Sequence, residues 1–228
     1  MRTPLLLCLA LVLASPLSLM AANESTAQTK HVAMVFDDGP FPAHAPKFRE
    51  LFAAEDVKVT WAYVAREVKL HPDTAKAALA AGHEIANHSF NHLQPREQDD
   101  TTLRHEVVAS QELVTAETGI APRWYWKPFL ANDPRHAGLL AEAGLGDFSH
   151  VPVVSSNDWN REAADAEDIF RNATTGVQDG CIILFHEWRE ETLAQMPAII
   201  AELKRQGCEF MTFSQLAEYL EARAAATE

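Results

Sequence analysis

His31-Val32-Ala33-Met34-Val35-Phe36-Asp37-Asp38-Gly39-Pro40 is an apolar run that ends abruptly in two carboxylates. The run reads as a short buried strand, and Asp, Gly and Pro in succession suit a turn at its end. Further along, residues 82–87 form a second short run that ends at His88, with His92 four positions later. Each half has a plain alternative. Asp-Asp-Gly-Pro alone suits a solvated turn, and two histidines at i, i+4 would meet on one face of a helix without holding anything. Their placement changes the reading, because both sets lie just past the carboxyl ends of predicted strands, where parallel α/β folds assemble their sites. Joined, two imidazoles and one carboxylate leave coordination positions open on a divalent ion, and the spare carboxylate can take a proton from water.

Outward from these two runs, apolar segments alternate with helical periodicity to the C-terminus. The pattern predicts strands at 31–36, 59–64, 83–87, 123–126, 147–154, 181–186 and 209–212. Helices are predicted at 45–54, 72–81, 101–118, 134–143, 166–175, 193–206 and 214–225, with Gly82, Gly119, Gly144 and Gly207 placed to end four of them. The fold class is α/β, a barrel-like βα repeat of about seven parallel strands. A chain of 228 residues suits one such domain. Arg2 followed by the apolar stretch 5–14 and small residues near Ala21 and Ala22 reads as a cleaved secretory signal over 1–22. Ser15 and Pro16 cut that stretch short of the ~20 residues a spanning helix needs, so no stable membrane span is expected. A lead-in over 23–30 and a catalytic domain over 31–228 follow, and the protein is expected to be exported, periplasmic or extracellular. That compartment permits a disulfide between Cys181 and Cys208. The net charge of −13 argues against nucleic acid or an anionic membrane as partner.

The ordered motifs resemble the polysaccharide deacetylase family, the NodB-homology group of carbohydrate esterases (carbohydrate esterase family 4). The family's first motif, Thr-Phe-Asp-Asp-Gly-Pro, appears as Val35-Phe36-Asp37-Asp38-Gly39-Pro40, and its second, His-Ser/Thr-x-x-His, as His88-Ser89-Phe90-Asn91-His92. The last, an apolar strand closing in Leu-x-His-Asp, appears as Leu184-Phe185-His186-Glu187. The resemblance implies a single-domain distorted (β/α) barrel. It implies Asp37 as general base, Asp38, His88 and His92 as ligands of zinc (cobalt, iron or another divalent ion being alternatives), and His186 as general acid. It further implies an oxyanion donor at the backbone N–H near Phe129, and a methyl pocket of Leu184 and Trp159. The substrate implied is an acetylated polysaccharide or oligosaccharide, chitin oligomers or peptidoglycan, with no protein partner. An O-acetyl esterase and a glycan-binding pseudoenzyme are the alternatives.

Two positions depart from the family pattern. Its third motif places Arg before x-Pro-Phe/Tyr, but Trp126 stands there in Tyr125-Trp126-Lys127-Pro128-Phe129, leaving Arg123 or Lys127 as candidate cations for Asp37. Its fourth, Asp-x-x-Asp-Trp, is Ser155-Ser156-Asn157-Asp158-Trp159, with Asp158 retained as the expected support of His186. Trp124, Trp126 and Trp188 are candidates for stacking on sugar rings.

Overall fold

Residues 29–162 and 164–227 are described by a computed structural model. Strand β1 (Lys30–Asp37) is followed by α1 (Ala45–Ala54), β2 (Thr60–Tyr63), α2 (Ala65–Leu70), α3 (Pro72–Ala80) and β3 (Glu84–Asn87). A long helical stretch then runs from α4 (Asp100–Arg104) through a π-helical turn (His105–Ala109) into α5 (Ser110–Thr118). The chain continues as α6 (His136–Ala143), β4 (Val153–Ser155), α7 (Ala166–Thr174), β5 (Ile182–His186), α8 (Glu190–Arg205), β6 (Cys208–Met211) and α9 (Phe213–Ala225). All strand pairings are parallel, in the order β3-β2-β1-β5-β4, with β6 also paired to β1.

This order puts β1 at the centre. Val32 to Phe36 are fully buried, which a strand covered on both faces requires and which explains an unbroken apolar run in place of alternation. Phe36 anchors the larger core, its ring 5.1 to 5.3 Å from Phe48, Phe52, Trp61 and Phe185. Gly119 and Gly144 take the left-handed C-cap positions of α5 and α6, as the sequence predicts.

The sheet does not close. Residues 123–126, expected as a strand, make only the isolated bridges Asn87↔Tyr125 and Trp124↔Gly146. Pro122 and Pro128, which lack N–H donors, flank that segment. The strand expected over 147–154 shrinks to Val153–Ser155. Ahead of it Ser149 N–H donates to Asp147 Oδ1 (3.1 Å), a local turn that competes with the ladder, and Pro152 offers no donor. The described strands therefore number six, against about seven expected. Cys181 and Cys208 are both buried free thiols. The signal reading over 1–22 and most of the lead-in lie outside the described residues. Among the described residues no helix is long and apolar enough to cross a membrane.

Candidate active site

Asp37 ends β1 and His186 ends β5, and the two are direct register partners across the central strand pair. Asp38 follows in left-handed backbone (φ 73°), which turns its carboxylate away from the strand line. The turn is held from behind by Glu187, whose Oε1 accepts from the Phe41 N–H at 3.0 Å. A Cβ at Gly39 would collide with Glu187 Oε2 and Tyr63 Cε1, so glycine is required there by close approach. Glu187 is fully buried, and burial pushes its carboxyl up to about 8 against the opposing Phe41 hydrogen bond and Arg49 charge.

His88 and His92 do not share a helix face, contrary to the helical reading of their spacing. They sit on an irregular loop after β3, in which Ser89 (φ 66°) and His92 (φ 60°) are left-handed. Side chains strap this loop in place of a helical ladder. Asn87 Oδ1 accepts from Ser89 N–H (2.9 Å) and Ser110 Oγ (2.9 Å), and Ser89 Oγ accepts from His92 N–H (2.9 Å). Glu106, buried on the π-helical turn, accepts from both the backbone and side-chain nitrogens of Asn91 at 2.8 Å. That turn thus aims a carboxylate at the loop between the two histidines, as π turns at functional sites often do.

The loop brings His88 Nε2 to 3.7 Å and His92 Nε2 to 3.3 Å from Asp38 Oδ1. One ligand atom from each residue lies within 4.8 Å of the others. His88 Nδ1–H donates to the Trp126 carbonyl (2.6 Å), which fixes the tautomer that leaves Nε2 as a lone pair, and that buried nitrogen has no hydrogen-bond partner. Two imidazoles and a carboxylate around a buried, unpaired nitrogen fit a divalent ion of the zinc type. Burial opposes charge on Asp38, but His88, His186 and His92 hold its carboxyl well below the usual range. Burial, His88 and His186 push His92 down to about 4, which keeps it neutral as a ligand must be. Trp188 adds a neutral support, its Nε1–H donating to Asp38 Oδ2 at 2.9 Å.

Trp126 Nε1–H donates to Asp37 Oδ2 at 2.9 Å. Neither candidate cation takes that place. Lys127 pairs with Asp147 at 2.6 Å, and Arg123 is exposed, 3.9 Å from Glu218. Burial raises the Asp37 carboxyl to about 6, with His88, His186 and the indole bond opposing and Asp38 assisting.

His186 is backed differently. Its Nδ1–H donates to Asp158 Oδ1 at 2.7 Å and its backbone N–H to Asp158 Oδ2 at 2.8 Å, while Thr192 Oγ–H donates to the same Oδ2 at 2.6 Å. Burial works against a charged imidazole, yet the Asp158 bond and the carboxylates of Asp158, Asp37 and Asp38 outweigh it and lift His186 to about 9. Ser155, in the position of the missing acidic residue, accepts from Asn157 N–H at 3.1 Å.

Asp37, Asp38, His92 and His186 face one cavity of about 370 Å³, whose apolar wall is Phe129, Leu130, Trp159 and Leu184. Trp159 is 55% exposed and Phe129 57%, unusual for such large apolar side chains. Phe129 (φ 58°) and Leu130 (φ 51°) are left-handed, and the Phe129 ring lies 4.5 Å from that of His92. Trp124 packs on Phe148 (4.6 Å) and Trp126 is buried, so neither is a free stacking surface. Glu106 and Thr192 escape the sequence reading, because each reaches the site across a long separation from another element and no local pattern marks that; Glu187 closes the last motif, but its bond to the Phe41 N–H is equally unmarked.

The family model for polysaccharide deacetylase matches residues 24–146. A peptidoglycan-N-acetylglucosamine deacetylase of Bacillus cereus is 28% identical over 83% of this chain and 89% of that protein. A peptidoglycan-N-acetylglucosamine deacetylase of Listeria monocytogenes is also 28% identical, over 82% of this chain, but the chain spans only 39% of its length. Among solved structures, the peptidoglycan deacetylase PdaC of Bacillus subtilis superposes with a TM-score of 0.78 at 23% identity, covering 88% of this chain and 96% of that one, a likeness of fold.

Proposed function

The chain belongs to the polysaccharide deacetylase family, and from that premise we propose that it removes acetyl groups from an N-acetylated glycan of the peptidoglycan or chitin-oligosaccharide type. The observation that carries the reading is the pairing of Asp37 with His186 across β1 and β5, on the wall of the cavity that also holds Asp38 and His92. A carboxyl raised to about 6 and an imidazole raised to about 9 are a base and an acid poised on either side of neutrality.

Asp38, His88 and His92 would hold the ion, zinc by the donor set, and when bound it supplies Lewis acidity to an amide carbonyl and to water. Asp37 takes a proton from the attacking water as its oxygen adds to the carbonyl carbon. The backbone N–H near Phe129 is the donor assigned to the developing oxyanion. His186, kept protonated by Asp158, gives its proton to the sugar nitrogen as the C–N bond breaks, so that acetate and a free amine leave. Leu184 and Trp159 receive the acetyl methyl. Export is part of the same reading, supported by the charged and apolar start of the sequence and by relatives whose substrate is a cell-wall polymer.

The test is acetate release from N-acetylglucosamine oligomers, peptidoglycan and O-acetylated xylan by zinc-loaded protein, with Asp37→Asn beside it. Release from the first two, lost in the variant, is expected. Release from the xylan alone would replace the amide reading with an esterase.

A further inference from the structure

Trp126 touches the site through three atoms. Its Nε1–H reaches Asp37 Oδ2 (2.9 Å), its carbonyl accepts from His88 Nδ1 (2.6 Å), and its backbone N–H donates to Asn87 O at 2.9 Å. The side chain is fixed while it does so, being 3% exposed with its ring 5.4 Å from Phe213. Asp37 Oδ1, by contrast, is buried without a hydrogen-bond partner. The two oxygens of the base are therefore not equivalent.

We propose that Trp126 is the positioning residue of this site: its indole N–H immobilises Oδ2 of Asp37 and so assigns proton acceptance to Oδ1, while its carbonyl orients His88. The assignment rests on the deacetylase reading for its kinetic consequence, but the hydrogen bond itself does not. A neutral donor suits the place. It satisfies one lone pair of a buried carboxylate, whose desolvation would otherwise be costly, without adding positive charge next to a cluster that has to accept a cation. An arginine at 126 would direct the base equally well, but it would bring that charge. The indole also cannot rotate its donor away, because ring and N–H move together and the ring is packed.

Two variants separate positioning from packing. Trp126→Phe removes the N–H and part of the ring, whereas benzothienylalanine at 126 keeps the fused bicycle and replaces only N–H by sulfur. For the benzothienyl protein, kcat is expected to fall on the order of tenfold, the effect of a lost hydrogen bond to a charged group. KM, zinc affinity measured by chelator competition and the thermal midpoint should stay close to the unmodified values. A wild-type kcat in that protein, or a kcat loss that only follows a loss of zinc affinity or stability, overturns the assignment. A readout free of turnover completes the test. The Trp126 indole ¹H–¹⁵N resonance should shift in Asp37→Ala and not in Ser155→Ala, and an unmoved resonance overturns the proposal whether or not acetate is released. Absence of acetate release from the unmodified protein would instead count against the deacetylase reading alone.

Discussion

The acid side and the base side of the cavity are built on opposite principles. His186 leans on a fully buried carboxylate that accepts three hydrogen bonds, from its own ring, its own backbone and Thr192. Asp37 leans on an indole, and neither Lys127 nor Arg123 reaches it. Both places depart from the family's motifs, at Ser155 and at Trp126, and the two changes have different physical weight. At Ser155 a charge is gone from the rim, but Asp158 still supplies the whole support of the acid. At Trp126 a charge is replaced by a dipole in the interior, so the base is held in direction while its ionised form gains only the hydrogen bond of a neutral donor there. Orientation and charge stabilisation can thus be provided separately, and this chain does so within one pocket.

The comparison breaks most visibly if the shared centre is removed. His88→Ala should lose the ion and lower turnover by at least about 10²-fold, because both sides act on what the centre binds. Metal content and acetate release measured on one preparation would check this, and full activity in metal-free protein would end the account. Next in size, Asp158→Asn should lower kcat by roughly 10²-fold, within the usual worth of an acid–base group. The sign of its pH effect follows from His186: a pKa raised to about 9 keeps the acid protonated, and loss of the carboxylate lets the alkaline limb of the pH profile move downward. If Asp158→Asn cost no more than the benzothienyl exchange at 126, the asymmetry would be wrong.

A third change sharpens the comparison through stability. Glu187 keeps its proton to about 8 when folded but would lose it near the ordinary glutamate value of 4.5 when unfolded, so the folded state binds more protons in between and stability falls as pH rises through that window. Glu187→Gln keeps an acceptor for Phe41 N–H and removes this share of the slope, so urea midpoints taken near either end of the window should lie closer together than in the unmodified protein. The smallest effect is expected for Ser155→Asp. Restoring the family's residue should alter kcat by no more than about threefold, because the lone pairs and charge that His186 needs are already supplied. A large gain would mean that the acid side is incomplete.

The same asymmetry governs what could be seen in the sequence. The places of Asp37, Asp38, His88 and His186 are legible because each stands at or just past a strand end, and strand ends are marked by where an apolar run stops. Asp158 was legible from its motif. The donor to Asp37 was not, because Trp reads as core or as a sugar platform, and nothing local tells that its N–H points to a carboxylate 89 residues away. The two charged candidates, Lys127 and Arg123, are the residue types a charge argument selects, and both are engaged elsewhere. The i, i+4 spacing of His88 and His92 says nothing of their loop, because that spacing is shared by a helix face and by a loop laced with Asn, Ser and Glu side chains. The strands expected over 123–126 and 147–154 differ for a simpler reason: their apolar content favours a strand, but Pro122, Pro128 and Pro152 lack the donors that a full ladder needs.

Asp38, His92, Phe129 and Leu130 all occupy left-handed backbone around one cavity. Asp and His tolerate such backbone, but at Phe129 and Leu130 it costs roughly 1–3 kcal/mol each, which glycine would relieve. Robustness and the shape of the pocket therefore compete at Phe129 and Leu130. A screen for heat tolerance that ignored acetate release would accept glycine at Phe129 and Leu130 early, and would arrive at a sturdier protein with an unwalled pocket.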